Sequence, residues 1–114
     1  MKVYLYRGCS TCKKALKFLK HHNISFDEIA IVNQPPSISE LKAALETYKL
    51  KALFNTSGEM YRSLGMKDKL PEMSEEEALK LLSENGKLIK RPFVAGQPSL
   101  VGFKEEQWNQ LLEG

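Results

Sequence analysis

The sequence predicts an α/β fold in three layers, built on a mixed four-stranded sheet with a helical insertion between its second and third strands. Three observations lead to this prediction. A strand-like apolar run is followed by a helix and another strand, the middle of the chain carries two helix starts, and the last third returns to two strands and a helix. We therefore expect one domain over residues 1–114, with the insertion at about residues 34–86.

The first unit is predicted to be a right-handed β-α-β crossover. KVYLY at residues 2–6 is rich in β-branched and aromatic residues, which is typical of a central strand covered on both faces. SFDEIAI at residues 25–31 predicts the parallel partner strand. A helix from about Ser10 to the HHN at residues 21–23 connects them, because apolar residues recur there at helical spacing on Cys12, Ala15, Leu16 and Leu19.

Two capping boxes predict the helices of the insertion. Ser37 with Glu40 starts the first, whose apolar face is expected to consist of Ile38, Leu41, Leu45 and Tyr48. Ser74 with Glu77 starts the second, whose inward residues are expected to be Ala78, Leu79 and Leu82. Asn85-Gly86 is a favoured left-handed terminator for that helix. Residues 55–71 between the two indicate loops and a short helix.

The end of the chain predicts a β-hairpin and a final helix. KLIKRPFVA at residues 87–95 and SLVGF at residues 99–103 flank a turn at Gly96-Gln97-Pro98. The final helix carries Trp108, Leu111 and Leu112. Without its insertion, this order of elements resembles a thioredoxin-like domain.

Composition excludes several classes of protein. With 42% hydrophobic and 27% charged residues the chain is an ordinary globular sequence, and no apolar run approaches the length of a membrane span or a signal peptide. We therefore expect a cytoplasmic protein. The net charge of +3 is too small to predict binding to nucleic acid or membranes. Basic residues do cluster between Lys13 and His22, which a solvated helix face explains.

The two cysteines are the strongest chemical signal. Cys9 and Cys12 form a C-x-x-C motif that follows a strand and opens a helix, which is the context of a redox pair in a reducing compartment. At a helix N-terminus the free amides favour an anion, so the pKa of Cys9 is expected to be low, helped by Arg7, Lys13 and Lys14. Cys12 belongs to the inward face. This asymmetry predicts that Cys9 attacks and Cys12 resolves.

Two other interpretations of the cysteines are weaker. A zinc site needs four ligands, and His21 and His22 lie too far along the same helix, so only a zinc ion bridging two chains through four cysteines remains. Both histidines are expected at the surface, with no catalytic role. Packing alone explains Cys12 but does not readily explain Cys9 beside Gly8.

YRGCSTCKKALKFL together with LIKRPFVAGQPSLVGFKEEQW resembles the arsenate reductase-like and Spx family, over essentially the whole chain. The resemblance implies a thioredoxin-type core with a helical insertion and a nucleophilic cysteine at Cys9. It also implies a substrate-binding arginine at Arg91 before a proline, Pro92, that is usually cis. Arg62 matches a further family arginine loosely. A guanidinium offers paired donors to a tetrahedral oxyanion, which suits these roles.

The chain also departs from the glutathione-using arsenate reductases. Lys104 stands where they commonly carry a third arginine, and Cys12 stands where they carry a serine. A lysine lacks the forked donor geometry of arginine, so dithiol chemistry gains weight over arsenate recognition. The transcriptional regulator Spx shares the C-x-x-C motif and binds RNA polymerase, although the short sequence after the last strand is more similar to the short arsenate reductase-like relatives.

We therefore expect a thiol oxidoreductase that needs no metal or organic cofactor. Its expected nucleophile is Cys9, and either Cys12 or an external thiol releases the product. The expected substrate site consists of Arg91, Arg62, Pro92 and Lys104. Glutathione, glutaredoxin or thioredoxin is the expected reductant. The alternative is a redox-sensing regulator of the Spx kind, whose disulfide switches a surface that binds the RNA polymerase α-subunit; neither membrane nor direct nucleic-acid binding is expected.

Overall fold

The computed structural model describes residues 1–96 and 99–112. The predicted α/β class is confirmed. The strands are β1 (Lys2–Leu5), β2 (Asp27–Ala30), β3 (Phe93–Ala95) and β4 (Leu100–Val101). The α-helices are α1 (Ser10–His21), α2 (Ile38–Ala44), α3 (Glu59–Ser63), α4 (Met66–Lys69), α5 (Glu75–Glu84) and α6 (Glu105–Trp108). Short 3₁₀ helices cover Leu50–Leu53, Leu70–Glu72, Gly86–Leu88 and Asn109–Leu112.

The four strands form one mixed sheet in the order β2-β1-β3-β4. β1 pairs in parallel with β2, opposing Lys2 to Asp27, and antiparallel with β3, opposing Val3 to Val94. β4 completes the hairpin antiparallel to β3. The parallel pair needs the α1 crossover, and the antiparallel pair needs only a short turn, so both connections agree with the sequence pattern. Part of that turn, at Gln97-Pro98, lies outside the described residues.

Alternation along the strands divides the core into two clusters. On one side of the sheet, Val3, Leu5, Val94 and Leu100 pack against α1 and the fully buried Trp108. On the other side, Tyr4, Phe93 and Val101 pack against the insertion helices. Successive strand residues point to opposite faces, so β1, β3 and β4 each contribute to both layers. The sheet is therefore the middle layer of a thioredoxin-like three-layer fold.

The helix starts follow their sequence signals. In both capping boxes the serine hydroxyl accepts the backbone N–H of the glutamate and the carboxylate accepts the serine N–H, at Ser37 with Glu40 and at Ser74 with Glu77. Glu40 also accepts the Tyr4 hydroxyl at 2.7 Å. α2 is shorter than predicted, however, and Ile38 on its expected apolar face is exposed.

The end of α5 corrects one expectation. Asn85 has a φ of −138°, so it does not terminate the helix in the left-handed region. Its side-chain amide instead donates to the carbonyl of Leu81 at 2.9 Å. Gly86 is buried, and a Cβ there would overlap the carbonyl oxygen of Ile31. Close backbone approach, rather than positive φ, is what requires glycine at this position.

The strand predicted over residues 87–95 is mostly not part of the sheet. Residues 88–90 pair with the insertion instead: Asn55 N–H donates to Leu88 O at 2.7 Å, and Lys90 N–H donates to Leu53 O at 2.8 Å. The Arg91–Pro92 bond is cis, and β3 begins only at Phe93. The apolar run at residues 87–95 therefore has two pairing partners: residues 88–90 bond to the insertion, and β3 pairs with β1. Among the described residues, no helix has the length and apolar character needed to cross a membrane.

Candidate functional site

Cys9 lies at the N-cap of α1, directly after the turn that follows β1. Its backbone N–H donates to the carbonyl of Tyr6 at 3.0 Å, which closes the turn. A Cβ at Gly8 would lie 2.6 Å from the Tyr6 ring, so a larger residue there would require the ring to move. The Cys9 Sγ accepts the backbone N–H of Cys12 at 3.4 Å. A cysteine sulfur thus occupies the place that a serine or aspartate oxygen usually takes in a helix cap.

This position lowers the pKa of Cys9. Burial of the half-exposed sulfur alone raises the pKa, since a thiolate loses hydration. Hydrogen bonds from Cys12 and from the Thr11 backbone, together with the positive charge of Arg91, outweigh that effect. The net pKa lies below the ordinary value of 9.0. The sulfur is therefore ionised more readily than a free cysteine at neutral pH.

Cys12 lies one turn inside α1 and has the opposite character. It is fully buried in the core on the α1 side of the sheet. Desolvation raises its pKa to about 12, against a weak opposing hydrogen bond from the Tyr6 backbone N–H at 3.5 Å. The side-chain hydrogen bond with Cys9 and the charge of Cys9 contribute to this raised pKa, and the charge of Arg91 opposes it. Both cysteines are free thiols in this structure.

A cleft of about 330 Å³ opens over the Cys9 sulfur. It is walled by the start of α1, the insertion, the residues before β3 and the segment after β4. The lining residues are Cys9, Thr11, Asn55, Lys90, Arg91, Val101, Gly102, Phe103 and Lys104. Three of them are cationic, and no carboxylate is among them. Such a cleft favours an anionic ligand beside the sulfur.

The ring of Tyr6 positions the Arg91 side chain. Its guanidinium carbon lies 5.1 Å from the centre of the Tyr6 ring, within the range of a cation–π contact. The carbonyl of the next residue, Pro92, accepts the N–H of Gly102 at 2.8 Å. Gly102 has a φ of 74°, which suits glycine, and the Lys90 side chain lies against it. These contacts join the residues before β3 to those after β4 at the rim of the cleft.

Most of the residues singled out from the sequence come together here. Cys9, Arg91 and Lys104 line the cleft, Pro92 follows Arg91, and Cys12 lies behind Cys9. Arg62 is exposed on α3 and is not among the lining residues, so its role stays a prediction.

Arg7 also lies elsewhere than expected. It forms a paired ion contact with Glu28, at 2.8 and 2.9 Å, and Arg91 is the cation that lowers the pKa of Cys9.

Asn55 and Lys90 were not identified from the sequence. Asn55 lies in the insertion, where nothing in the local pattern relates it to Cys9. Lys90 directly precedes Arg91, so its place beside the predicted substrate arginine is visible in the sequence. Asn55 is identified only by the tertiary fold, which brings its segment to the same cleft.

The histidines lie at the far end of α1. His21 and His22 are both exposed, and the His22 ring packs on Phe18 with centroids 4.5 Å apart. Within residues 1–96 and 99–112, no three side chains of the His, Cys, Asp and Glu types cluster in a way that could hold a metal ion.

Comparison with known proteins gives a consistent result. The model of the ArsC family matches residues 4–111. The chain is 50% identical over 110 residues to the Bacillus subtilis protein YusI, covering 94% of this chain and 93% of that protein. It is 32% identical over 113 residues to the global transcriptional regulator Spx of Enterococcus faecalis, covering 96% and 84%. A crystal structure of an ArsC family related protein from Bacteroides fragilis superposes with a TM-score of 0.90 at 45% identity, covering 96% and 95%.

Proposed function

The chain belongs to the ArsC family, and from that premise we propose that it is a thiol-dependent oxidoreductase whose nucleophile is the Cys9 thiolate. One observation carries the proposal. The Cys9 sulfur caps α1, has a lowered pKa, and faces a cleft lined by three cations. A structural cysteine needs none of these features, whereas each of them favours a nucleophilic thiolate or its anionic substrate.

The proposed reaction on a disulfide substrate has two steps. The Cys9 thiolate attacks one substrate sulfur, a Cys9–substrate disulfide forms, and the other substrate sulfur leaves as a thiolate. Cys12 then gives up its proton and attacks the Cys9 sulfur, which releases the second substrate thiolate and leaves a Cys9–Cys12 disulfide. The substrate gains two electrons, and the enzyme loses two. With a tetrahedral oxyanion, the Cys9 sulfur bonds to the central atom and one oxygen, once protonated, leaves as water. When Cys12 then attacks the Cys9 sulfur, the central atom keeps the electron pair of its bond to Cys9 and is reduced by two electrons.

The raised pKa of Cys12 fits the order of these steps. While Cys9 is a thiolate, its charge and the burial of Cys12 keep Cys12 protonated. Once Cys9 is bonded to substrate, that charge is gone and the contribution of Cys9 to the raised pKa disappears. Cys12 then becomes easier to ionise at the stage where it must attack. In the proposal Cys12 therefore stays protonated and unreactive until Cys9 has bonded to the substrate.

Arg91 and Lys104 are proposed to bind the anionic part of the substrate. Both line the cleft beside Cys9, and the Tyr6 ring holds the Arg91 guanidinium in position. Pro92 supports this wall through its carbonyl bond to Gly102. Arg62 lies on α3 outside the cleft lining, so its participation requires it to reach the cleft when substrate binds. Electrostatic stabilisation of a developing anion is the effect expected of these groups.

The reductant that regenerates the dithiol is proposed to be glutathione, glutaredoxin or thioredoxin, which assigns the protein to the reducing cytoplasm. We also propose that residues 1–114 form a single thioredoxin-like domain, with the insertion at about residues 34–86 as part of it. Both core clusters share one sheet, which supports a single unit. One cooperative unfolding transition, monitored by Trp108 fluorescence and by far-ultraviolet circular dichroism, is the expected behaviour.

Steady-state reduction of arsenate and of a small disulfide, with each reductant in turn, tests the function. Cys9→Ser should abolish turnover. Cys12→Ser should lose turnover if Cys12 resolves, and retain it if an external thiol does. Mild peroxide treatment followed by mass spectrometry should reveal a Cys9–Cys12 disulfide. Absence of that disulfide, together with unchanged thiol reactivity in Cys9→Ser, would rule the proposal out.

A second candidate is a redox-sensing regulator of the Spx kind. It is favoured by the C-x-x-C motif and by the extent of the match to proteins named Spx. The same Cys9–Cys12 disulfide would then switch a binding surface instead of supporting turnover. Pull-down with the C-terminal domain of the RNA polymerase α-subunit, under oxidising and reducing conditions, separates the two candidates. Absence of binding in both conditions would eliminate the regulator.

A further inference from the structure

The exposed side of α1 is strongly basic. We call this surface the basic face and define it by its members, Lys13, Lys14, Lys17, Lys20, His21 and His22. We propose that the basic face docks an acidic thiol protein, whose cysteine it brings to Cys9. The inference rests on the proposed oxidoreductase function and adds the chemistry of its protein partner.

The charges of the basic face are not neutralised within the molecule. α1 contains no acidic residue, and all four of its lysines are exposed. Over residues 1–96 and 99–112, the ion pairs join Lys2 to Glu40 and Arg7 to Glu28, and none involves an α1 lysine. Like charges one turn apart on a helix repel each other. An acidic partner relieves that repulsion and is attracted over long distances.

A groove with an aromatic floor runs beside the basic face, so the surface offers an apolar contact as well as charge. It has a volume of about 450 Å³ and lies between α1 and the residues after β4. The aromatic rings of Phe18 and Phe103 form its floor, with centroids 5.8 Å apart. Lys14 and Lys17 form one rim, and Glu105 lies on the other. A solvated helix face explains exposed lysines, but it does not explain the aromatic floor beside them.

The groove and the Cys9 cleft are adjacent. Phe103 lines both of them, so a ligand that lies along α1 and extends past Phe103 comes next to Cys9. The 12 residues of α1 span about 18 Å, a length that about five or six residues of extended chain cover. A peptide segment with acidic residues against the lysines and an apolar side chain on the floor therefore places its cysteine over the Cys9 sulfur.

The geometry favours a polypeptide over nucleic acid. A phosphate backbone carries a charge at every nucleotide and would meet Glu105 unfavourably, with Glu106 next to it. A polypeptide places its acidic residues opposite α1 and a neutral residue opposite Glu105.

The exchange with the partner balances as follows. A partner thiolate attacks the Cys9 sulfur of the Cys9–Cys12 disulfide, and Cys12 leaves as a thiolate that takes up a proton. A second partner thiol then loses its proton and attacks the partner's own sulfur in the mixed disulfide. Cys9 leaves as a thiolate. The partner dithiol is oxidised by two electrons to a disulfide, and this chain is reduced by two.

Docking is tested with a short fluorescein-labelled peptide in which glutamates and a phenylalanine flank Ser-x-x-Ser. A matched peptide carries glutamine in place of glutamate. The full chain should bind the acidic peptide more tightly, and the difference should vanish at about 500 mM salt, where the screening length is only a few ångströms. Lys14→Gln/Lys17→Gln should weaken binding about fivefold, the loss expected for two exposed ion pairs.

Matched variants control for charge and for folding. Lys67→Gln/Lys69→Gln removes two exposed lysines from α4 and should leave binding unchanged. Lys14→Arg/Lys17→Arg keeps the charge and should retain binding. Equal affinity for both peptides, equal weakening in the α4 variant, displacement of the peptide by a short DNA duplex at lower concentration, or dimerisation through the basic face on gel filtration would each overturn the proposal.

A parallel redox experiment separates this proposal from the proposed function. The oxidised chain is reduced with dithiothreitol, with the acidic peptide carrying Cys-x-x-Cys, or with its glutamine counterpart. Docking predicts a faster reaction with the acidic peptide than with the glutamine peptide. Reduction by dithiothreitol with no difference between the peptides overturns docking and leaves the function standing. If no Cys9–Cys12 disulfide forms, the oxidoreductase proposal fails, and the delivery of a partner sulfur to Cys9 fails with it.

Discussion

Selective alkylation of Cys9 is the most direct consequence of the site geometry. The perturbation is a low concentration of iodoacetamide added to the reduced, folded chain at about pH 7. Only thiolates react appreciably, so the rate at each cysteine follows its ionised fraction, its intrinsic nucleophilicity and its exposure. Cys9 is half-exposed with a lowered pKa, and Cys12 is fully buried with a raised one. We therefore expect modification at Cys9 and almost none at Cys12.

The magnitude follows from the two pKa values. A thiol with the ordinary pKa of 9.0 is ionised to about 1% at pH 7, and Cys9 exceeds that fraction. With a pKa of about 12, Cys12 is ionised to about one part in a hundred thousand. The thiolate populations thus differ by at least about a thousandfold. A less basic thiolate is less nucleophilic, by about 30-fold over three pKa units, which leaves a ratio of at least about 30 before exposure is considered.

Timed alkylation with peptide mapping by mass spectrometry measures both rates in one sample. Cys12→Ser should keep the fast reaction, and Cys9→Ser should lose it. In guanidinium chloride the two rates should become nearly equal, because both cysteines are then exposed to solvent. As pH rises, the alkylation rate of Cys9 should reach half of its plateau value at a pH below 9. Modification of Cys12 within a few-fold of Cys9 in the folded chain, or a Cys9 rate that follows an ordinary thiol, would refute the reasoning.

Three further predictions concern charge, packing and pH. Arg91→Gln should shift the alkylation profile of Cys9 to higher pH, because Arg91 stabilises the thiolate. Arg7→Gln should leave the profile unchanged, because Arg7 pairs with Glu28 at 2.8 Å. Equal profiles in the two variants would contradict this reasoning. Gly86→Ala should lower the free energy of unfolding by about 1–3 kcal/mol in urea titrations, since its Cβ meets the Ile31 carbonyl. Gly65→Ala, at a φ of 66° with open space around it, should cost only about 1 kcal/mol, and a larger loss at Gly65 than at Gly86 would argue against the close approach. Above about pH 9 the unfolded chain gives up protons that the folded chain keeps on Cys12 and Tyr4, so stability should fall as pH rises. Cys12→Ala should reduce that slope between about pH 9 and pH 12 in urea titrations, and an unchanged slope would show that the Cys12 thiol is not responsible.

Local features of the fold were predictable because their causes are local. The start of α1 and both capping boxes depend on side chains within three or four residues of the backbone groups they satisfy. The central position of β1 follows from an apolar run that both layers cover. These interactions involve neighbours in the chain, so a pattern over a dozen residues contains enough information to identify them.

Features that depend on distant partners were predicted less well. The apolar residues at 88–90 look like a continuation of β3, but they pair with the insertion through Leu53 and Asn55. Gly86 looks like a helix terminator, but it is a point of close contact with Ile31. A backbone hydrogen bond has the same sequence requirements whichever strand accepts it. The choice between partners is made only when the whole chain packs.

The candidate site shows the same division. The sequence alone identified two sulfurs at the N-terminus of a helix, because the C-x-x-C spacing and the helix start are both local. It did not determine which cations surround them: Arg7, which is close in sequence, pairs with Glu28, whereas Arg91 from the far end of the chain faces Cys9. Charges act through space, and the space around Cys9 is shaped by four segments that only the tertiary structure brings together.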